Sequence, residues 1–329
     1  MPRASRARRP LLTTTVALTG AALALAAAML SGPDRPDGPG PADRASPVLP
    51  GVGRAPTADD RLLHDAEQLL LRDCMRRQGF TYHVFPLDDD PGIDAFVYVL
   101  DDAAWARRHG YGAELRRRQV ARARSDPNRA YFAALPADRR AAALVAANGP
   151  SPDGPTVRLP GGGTLRRSDR GCVAEAQRRL YGDLGAWFRA STRVEALERI
   201  RRGRVTDDPA YRERLDGWRQ CMGRAGHAFA TPAAARAAAL SVTRPPARDR
   251  EIALALAEVR CAGESGLART ARRLDDHHGT LLAREYRADV EARERLRAAA
   301  LPRARQVVDA VPTSPRPEPP KSPEPPERV

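Results

Sequence analysis

The chain has 329 residues, with 42% hydrophobic, 29% charged and only 5% aromatic side chains, and a formal charge of +14. These proportions are ordinary for a folded protein and exclude a chain too polar to build a core, which must rest on Leu, Val and Ala. Apart from Lys321 the basic residues are arginine, as a GC-rich genome writes by codon bias, so the charge admits anionic lipid, wall polymer or nucleic acid without choosing among them.

Arg3, Arg6, Arg8 and Arg9 precede an apolar stretch over 11–30, and a Pro- and Gly-rich run follows it. A positive flank, an apolar span and a polar exit make an export signal, with the remainder of the chain outside the cytoplasm. Ala26 and Ala28 meet a small-x-small cleavage rule. The stretch is also close to the roughly 20 residues that cross a bilayer, so a retained anchor competes with cleavage. No cysteine follows it to carry a lipid.

Residues 31–57 read as a Pro/Gly linker without a core. Leu63, Ala66, Leu70 and Cys74 then share one face at helical spacing, predicting a helix over 58–78 that Gly79 ends. Tyr82, Val84 and Phe85, and then 96–99, predict short strands about an Asp88-to-Gly92 turn. Helices are expected from Asp101 to His109 and over 113–124, 128–135 and 137–147, punctuated by Pro127 and Pro136. A hairpin is expected where 156–159 and 164–167 flank Pro160-Gly161-Gly162-Gly163. The second half reads as helices over 170–181, 183–203, 207–225, 232–241, 246–273 and 278–300, followed by a disordered Pro-rich tail over 301–329.

The string Cys74-Met75-Arg76-Arg77-Gln78-Gly79 recurs as Cys221-Met222-Gly223-Arg224-Ala225-Gly226. Each copy ends a helix, and each is followed later by a helix with one more cysteine, Cys172 or Cys261. Two related helical units are expected, 58–182 with an insertion and 183–300. Four cysteines outside the cytoplasm favour two disulfides, and of the three pairings the repeat argues for Cys74–Cys172 and Cys221–Cys261. The expected fold is mainly α, disulfide-linked, with one or two short β-hairpins.

The strings CMRRQGF, WARRHGYG, TVRLPGGGT, GCVAEAQRRLYGD and WRQCMGRAGH resemble those of a group of actinobacterial exported proteins with no assigned activity, over about 58–289. The resemblance implies an envelope location and brings no catalytic residues.

Candidate chemistry is sparse. Asp275, Asp276, His277 and His278, with Glu285 further on, form the most metal-like group. Adjacent histidines diverge on a helix and no His-x-x-x-His spacing occurs, so a polar joint between two helices, broken at Gly279, is the simpler expectation. His64, His83, His109 and His227 are scattered, and no Gly-x-Ser-x-Gly elbow is present. The glycines at 161–163 lack the Lys of a phosphate loop. Trp105, Arg107, Arg108, His109 and Tyr111 form the densest aromatic and charged patch. It could grip a polar ligand, or pack Trp105 inward with its arginines in water. Arginine runs such as 116–118 read as a solvated helix face.

No cofactor or metal is called for. The first expectation is a non-enzymatic envelope protein that binds an envelope protein, or an anionic wall or lipid component, through a basic helical surface. An extracytoplasmic location argues against nucleic acid. The alternatives are an extracytoplasmic hydrolase with a site near Trp105–Tyr111 or Asp275–His278, and an accessory or sensor subunit of an exported regulatory system.

Overall fold

Thr57 opens the first helix, α1 (Ala58–Arg77), with a capping box: its hydroxyl accepts the Asp60 amide while the Asp60 carboxylate accepts the Thr57 amide at 2.9 Å. The computed structural model describes residue 49 and residues 53–87, 92–241 and 246–311. The expected export segment, most of the linker and the tail from 312 lie outside the described residues. Among the described residues no helix is long and apolar enough to cross a membrane.

The structure is helical, as composition and spacing lead one to expect. After α1 come α2 (Ala103–His109), α3 (Ala113–Arg124), α4 (Pro127–Ala134) and α5 (Ala137–Asn148), then β1 (Thr156–Arg158) and β2 (Thr164–Arg166). They are followed by α6 (Cys172–Tyr181), α7 (Leu184–Asp207), α8 (Pro209–Arg224), α9 (Pro232–Ala239), α10 (Arg248–Glu264), α11 (Leu267–Glu285) and α12 (Arg287–Asp309). The hairpin pairs antiparallel with Val157 opposite Leu165, and Val157 is buried while Leu165 is exposed.

Both expected disulfides form, Cys74–Cys172 between α1 and α6 and Cys221–Cys261 between α8 and α10, each with a Cα–Cα distance of 5.5 Å. The repeat extends to the helix ends. Gly79 and Gly226 have φ of 75° and 82°, and the amides of Phe80 and His227 reach back to the carbonyls of Met75 and Met222 at 3.0 and 2.8 Å. That glycine conformation and its back-reaching bond satisfy carbonyls that the last turn would otherwise leave open.

The packing does not follow the expected division at 182/183. Ile93, Val99, Leu100, Ala106 and Tyr111 lie in the core formed by α8, α10 and α11 around Trp218. In exchange, Ala300 and Ala304 of α12 pack against Leu63, Ala66 and Leu70 of α1 and Leu180 of α6. Each half of the chain therefore lends an element to the other, and the described residues group as one compact unit.

Four expectations are corrected. The expected strands within 81–100 do not form: the described part is irregular, with a 3₁₀ turn at Gly92–Ala95. Side chains take the backbone groups that a neighbouring strand would have used. Asn128 bonds both the amide and the carbonyl of His83 at 2.7 and 2.8 Å, His64 meets the Phe85 carbonyl at 2.8 Å, and Glu258 accepts the Leu100 amide at 2.8 Å. The break expected near 275–278 lies instead at Ser265–Gly266, where Gly266 takes φ +75°, and α11 runs unbroken through Gly279. The tail begins later than 301, because α12 continues to Asp309 with Ala304 fully buried. The linker also ends earlier, since Leu49 packs against Val194, Leu197, Leu282 and Val290.

Candidate functional site

The described part of the chain is most unusual where α2 turns into α3. Two glutamates on α10, seven residues apart and so two turns apart on one face, hold this turn from beneath. Glu251 accepts the amides of Tyr111 at 2.8 Å and Ala113 at 3.1 Å. Glu258 accepts the Leu100 amide with one oxygen and the Tyr111 hydroxyl with the other. Both carboxylates are buried. Burial pushes the Glu258 carboxyl up to about 7, against the opposing pull of the Tyr111 hydroxyl, the Leu100 amide and the Arg236 guanidinium. Burial and the Glu258 charge in turn push the Tyr111 phenol far above its ordinary value.

Local sequence permits the clasp. Gly110 has φ +61°, and a Cβ there would stand 2.8 Å from Glu251. Gly112 has φ +82°, and a Cβ there would stand 3.1 Å from Trp105. Asp102 caps α2 by accepting the Trp105 amide at 2.9 Å. Trp105 is half-buried, edge-on to Phe96 at 5.1 Å and 5.2 Å from the His109 ring.

The five residues of the aromatic and charged patch thus divide by position. Tyr111 is a buried anchor, Trp105 and His109 pack together half-buried, and Arg107 and Arg108 are exposed. Beyond the anchor, every residue from Arg116 to Ser125 is exposed. Glu114 is the acid of α3, and Arg118 and Arg248 share it. Arg116, Arg117, Arg122 and Arg124 have no acidic partner among the described residues. Beyond its buried first residue, Ala113, α3 buries no side chain, so this stretch contributes little to folding. The α2–α3 junction is a ridge of arginines set on a rigid base.

No family model, curated protein or solved structure matches this chain.

The 275–278 group is held differently from a metal centre. Asp275 receives the Tyr98 hydroxyl at 2.6 Å and lies 3.3 Å from Nε of the buried Arg201. A cleft of 270 Å³ between 95–101 and α11 opens beside it. His278 Nε2 is 3.7 Å from Asp208, too far for a hydrogen bond, and Glu285 is engaged by Arg204 at 3.1 Å. Among the described residues no group of three or more His, Cys, Asp or Glu is placed to hold a metal ion. Gly279 has a packing reason: a Cβ there would sit 3.0 Å from the Arg201 guanidinium.

Sequence reasoning missed Glu251 and Glu258. The signal was present as two acidic residues at a seven-residue interval on the apolar face of a helix, where an unsatisfied carboxylate is expensive and so implies a partner. The two disulfides themselves suggest an oxidising, extracytoplasmic compartment.

Proposed function

We propose that this chain is an exported cell-envelope protein that holds an anionic wall polymer on the arginine ridge of α2 and α3, without acting on it chemically. The observation that carries this reading is α3, where four arginines without an acidic partner stand on a stretch, 116–125, that is exposed throughout. Guanidinium groups on a pre-set backbone suit phosphate and carboxylate groups spaced along a polymer. The clasp from Glu251 and Glu258 supplies the rigidity, so that little ordering cost falls on binding. The reading takes 1–30 as the export signal, either removed or kept as a single anchor, and groups the chain with the actinobacterial exported proteins that its strings resemble.

The test is retention of the full chain on immobilised polyphosphate, with neutral dextran as control. The expected result is retention that salt weakens, and loss of most of it when Arg116, Arg117, Arg122 and Arg124 are all changed to Gln. Equal retention of wild type and variant, or a preference for phosphatidylglycerol vesicles over the polymer, overturns it.

A further inference from the structure

We propose that a second site, a cleft between the end of α5, the exit of β2 and α7, binds a small sugar ring carrying a carboxylate. The cleft measures about 550 Å³ and is lined by Pro150, Pro152, Arg167, Ser168, Val173 and Phe188. That size is within the range that holds a small organic ligand.

Its single cation is held in a particular way. Arg167 leaves the hairpin directly after β2, with its amide bonded to the Pro155 carbonyl at 3.2 Å. Its Nη1 donates to the Gln177 side-chain oxygen on α6, and Gln177 in turn donates to Glu67 of α1 at 2.8 Å. One corner of the guanidinium is therefore clamped from behind by two helices. Its Nε and Nη2 make no hydrogen bond among the described residues, and the guanidinium lies over the Phe188 ring. Those two N–H groups form the side of the guanidinium fork that takes both oxygens of a carboxylate at once. Burial pushes Glu67 up from its ordinary value, and from behind its charge still favours the cationic form of Arg167.

The rest of the cleft mixes the polar side chains of Asn148, Ser151 and Ser168 with the apolar ones of Phe188, Val173 and the two prolines. The Phe188 ring centre lies 5.5 Å from the Arg167 guanidinium carbon, and the prolines and Val173 complete a wall. A ring of this kind stacks on the C–H face of a sugar, while the clamped cation orients an acid group on its edge. One cation with one free fork matches a single carboxylate better than a doubly charged phosphate, which needs more donors. The site shares no residue with the α2–α3 ridge.

The experiment titrates the full chain with sodium glucuronate, glucose and acetate, observed by ligand NMR. The expected order is glucuronate tightest, with glucose and acetate each weaker by about tenfold or more, since each lacks one half of the contact. Arg167→Gln should weaken glucuronate by about tenfold, and Phe188→Leu by several-fold while leaving acetate unchanged. Glucuronate bound no better than glucose by the wild type overturns the proposal, as does undiminished binding by a folded Arg167→Gln variant. If Arg167→Gln does not fold, the wild-type comparison and Phe188→Leu decide. The α3 variant with four arginines replaced should bind glucuronate as wild type does, so the ridge and the cleft fail or stand separately.

Discussion

The Tyr111 hydroxyl donates to the Glu258 carboxylate inside the core that surrounds Trp218, and neither side chain meets solvent. This one contact ties the turn that carries the arginine ridge to the middle of α10. Tyr111→Phe keeps the ring and removes the donor. It should cost about 1–3 kcal/mol where Glu258 is ionised, because a buried carboxylate then loses a charge-assisted bond. The cost should shrink on acidification. Urea unfolding of the variant and wild type at acidic and alkaline pH measures it.

The same carboxyl gives the wild type a pH signature. Its folded value is raised, to about 7 from 4.5, by burial, against the opposing pull of the Tyr111 hydroxyl, the Leu100 amide and Arg236. A raised acid binds its proton more tightly when folded, so this group favours folding below about 4.5 and loses that contribution as pH rises through about 7. Glu258→Gln should flatten the change in stability across this window, and an unchanged slope in thermal unfolding would place the ionisation elsewhere.

Gly110 and Gly162 both have positive φ, 61° and 106°, yet they should respond differently to alanine. At Gly110 the added methyl meets Glu251, whereas nothing lies within 4 Å of one at Gly162. Gly110→Ala should cost about 2–4 kcal/mol through strain and a displaced carboxylate. Gly162→Ala should cost about 1 kcal/mol from backbone conformation alone. Paired denaturation curves compare them.

The disulfides close segments of 98 and 40 residues. On loop entropy, replacing Cys74 and Cys172 with Ser should cost about 5 kcal/mol and replacing Cys221 and Cys261 about 4 kcal/mol. Unfolding of the two double variants gives both values, and a larger loss for the shorter loop would show native-state packing to dominate.

Ala300 and Ala304 place the last turns of α12 in the core with α1 and α6. A chain ending at Asp309 should melt like the full chain. One ending at Leu301 should melt several degrees lower, as apolar contacts of Ala304, Val307 and Val308 are lost.

The disulfide pairing was legible because one motif occurs twice: Cys-Met before a helix-ending glycine marks equivalent helix ends, and equivalent ends make equivalent bridges. The hairpin was legible from three glycines between two β-prone runs. The strands expected in 81–100 failed because alternation of apolar residues reports burial and not which group takes the backbone hydrogen bonds. Asn128, His64 and Glu258 took some of them from 45, 21 and 158 residues away. Trp105, Arg107, Arg108, His109 and Tyr111 could be picked out as unusual, yet their division into anchor, packed rings and exposed cations depends on Glu251 and Glu258.

The amino-acid order alone determined the helices, most of their ends and the partners of the cysteines, since periodicity, caps and a repeated motif act over a few residues or between equal copies. Only the tertiary structure decided that 93–111 joins the second core and α12 the first, that α10 clasps the turn below the arginine ridge, and that Gln177 clamps Arg167. Most of those relationships join residues about a hundred or more positions apart, and the ten-residue Arg167–Gln177 clamp is itself backed by Glu67, 110 positions from Gln177. Their energies come from burial and charge desolvation, which exist only once distant surfaces have closed on one another.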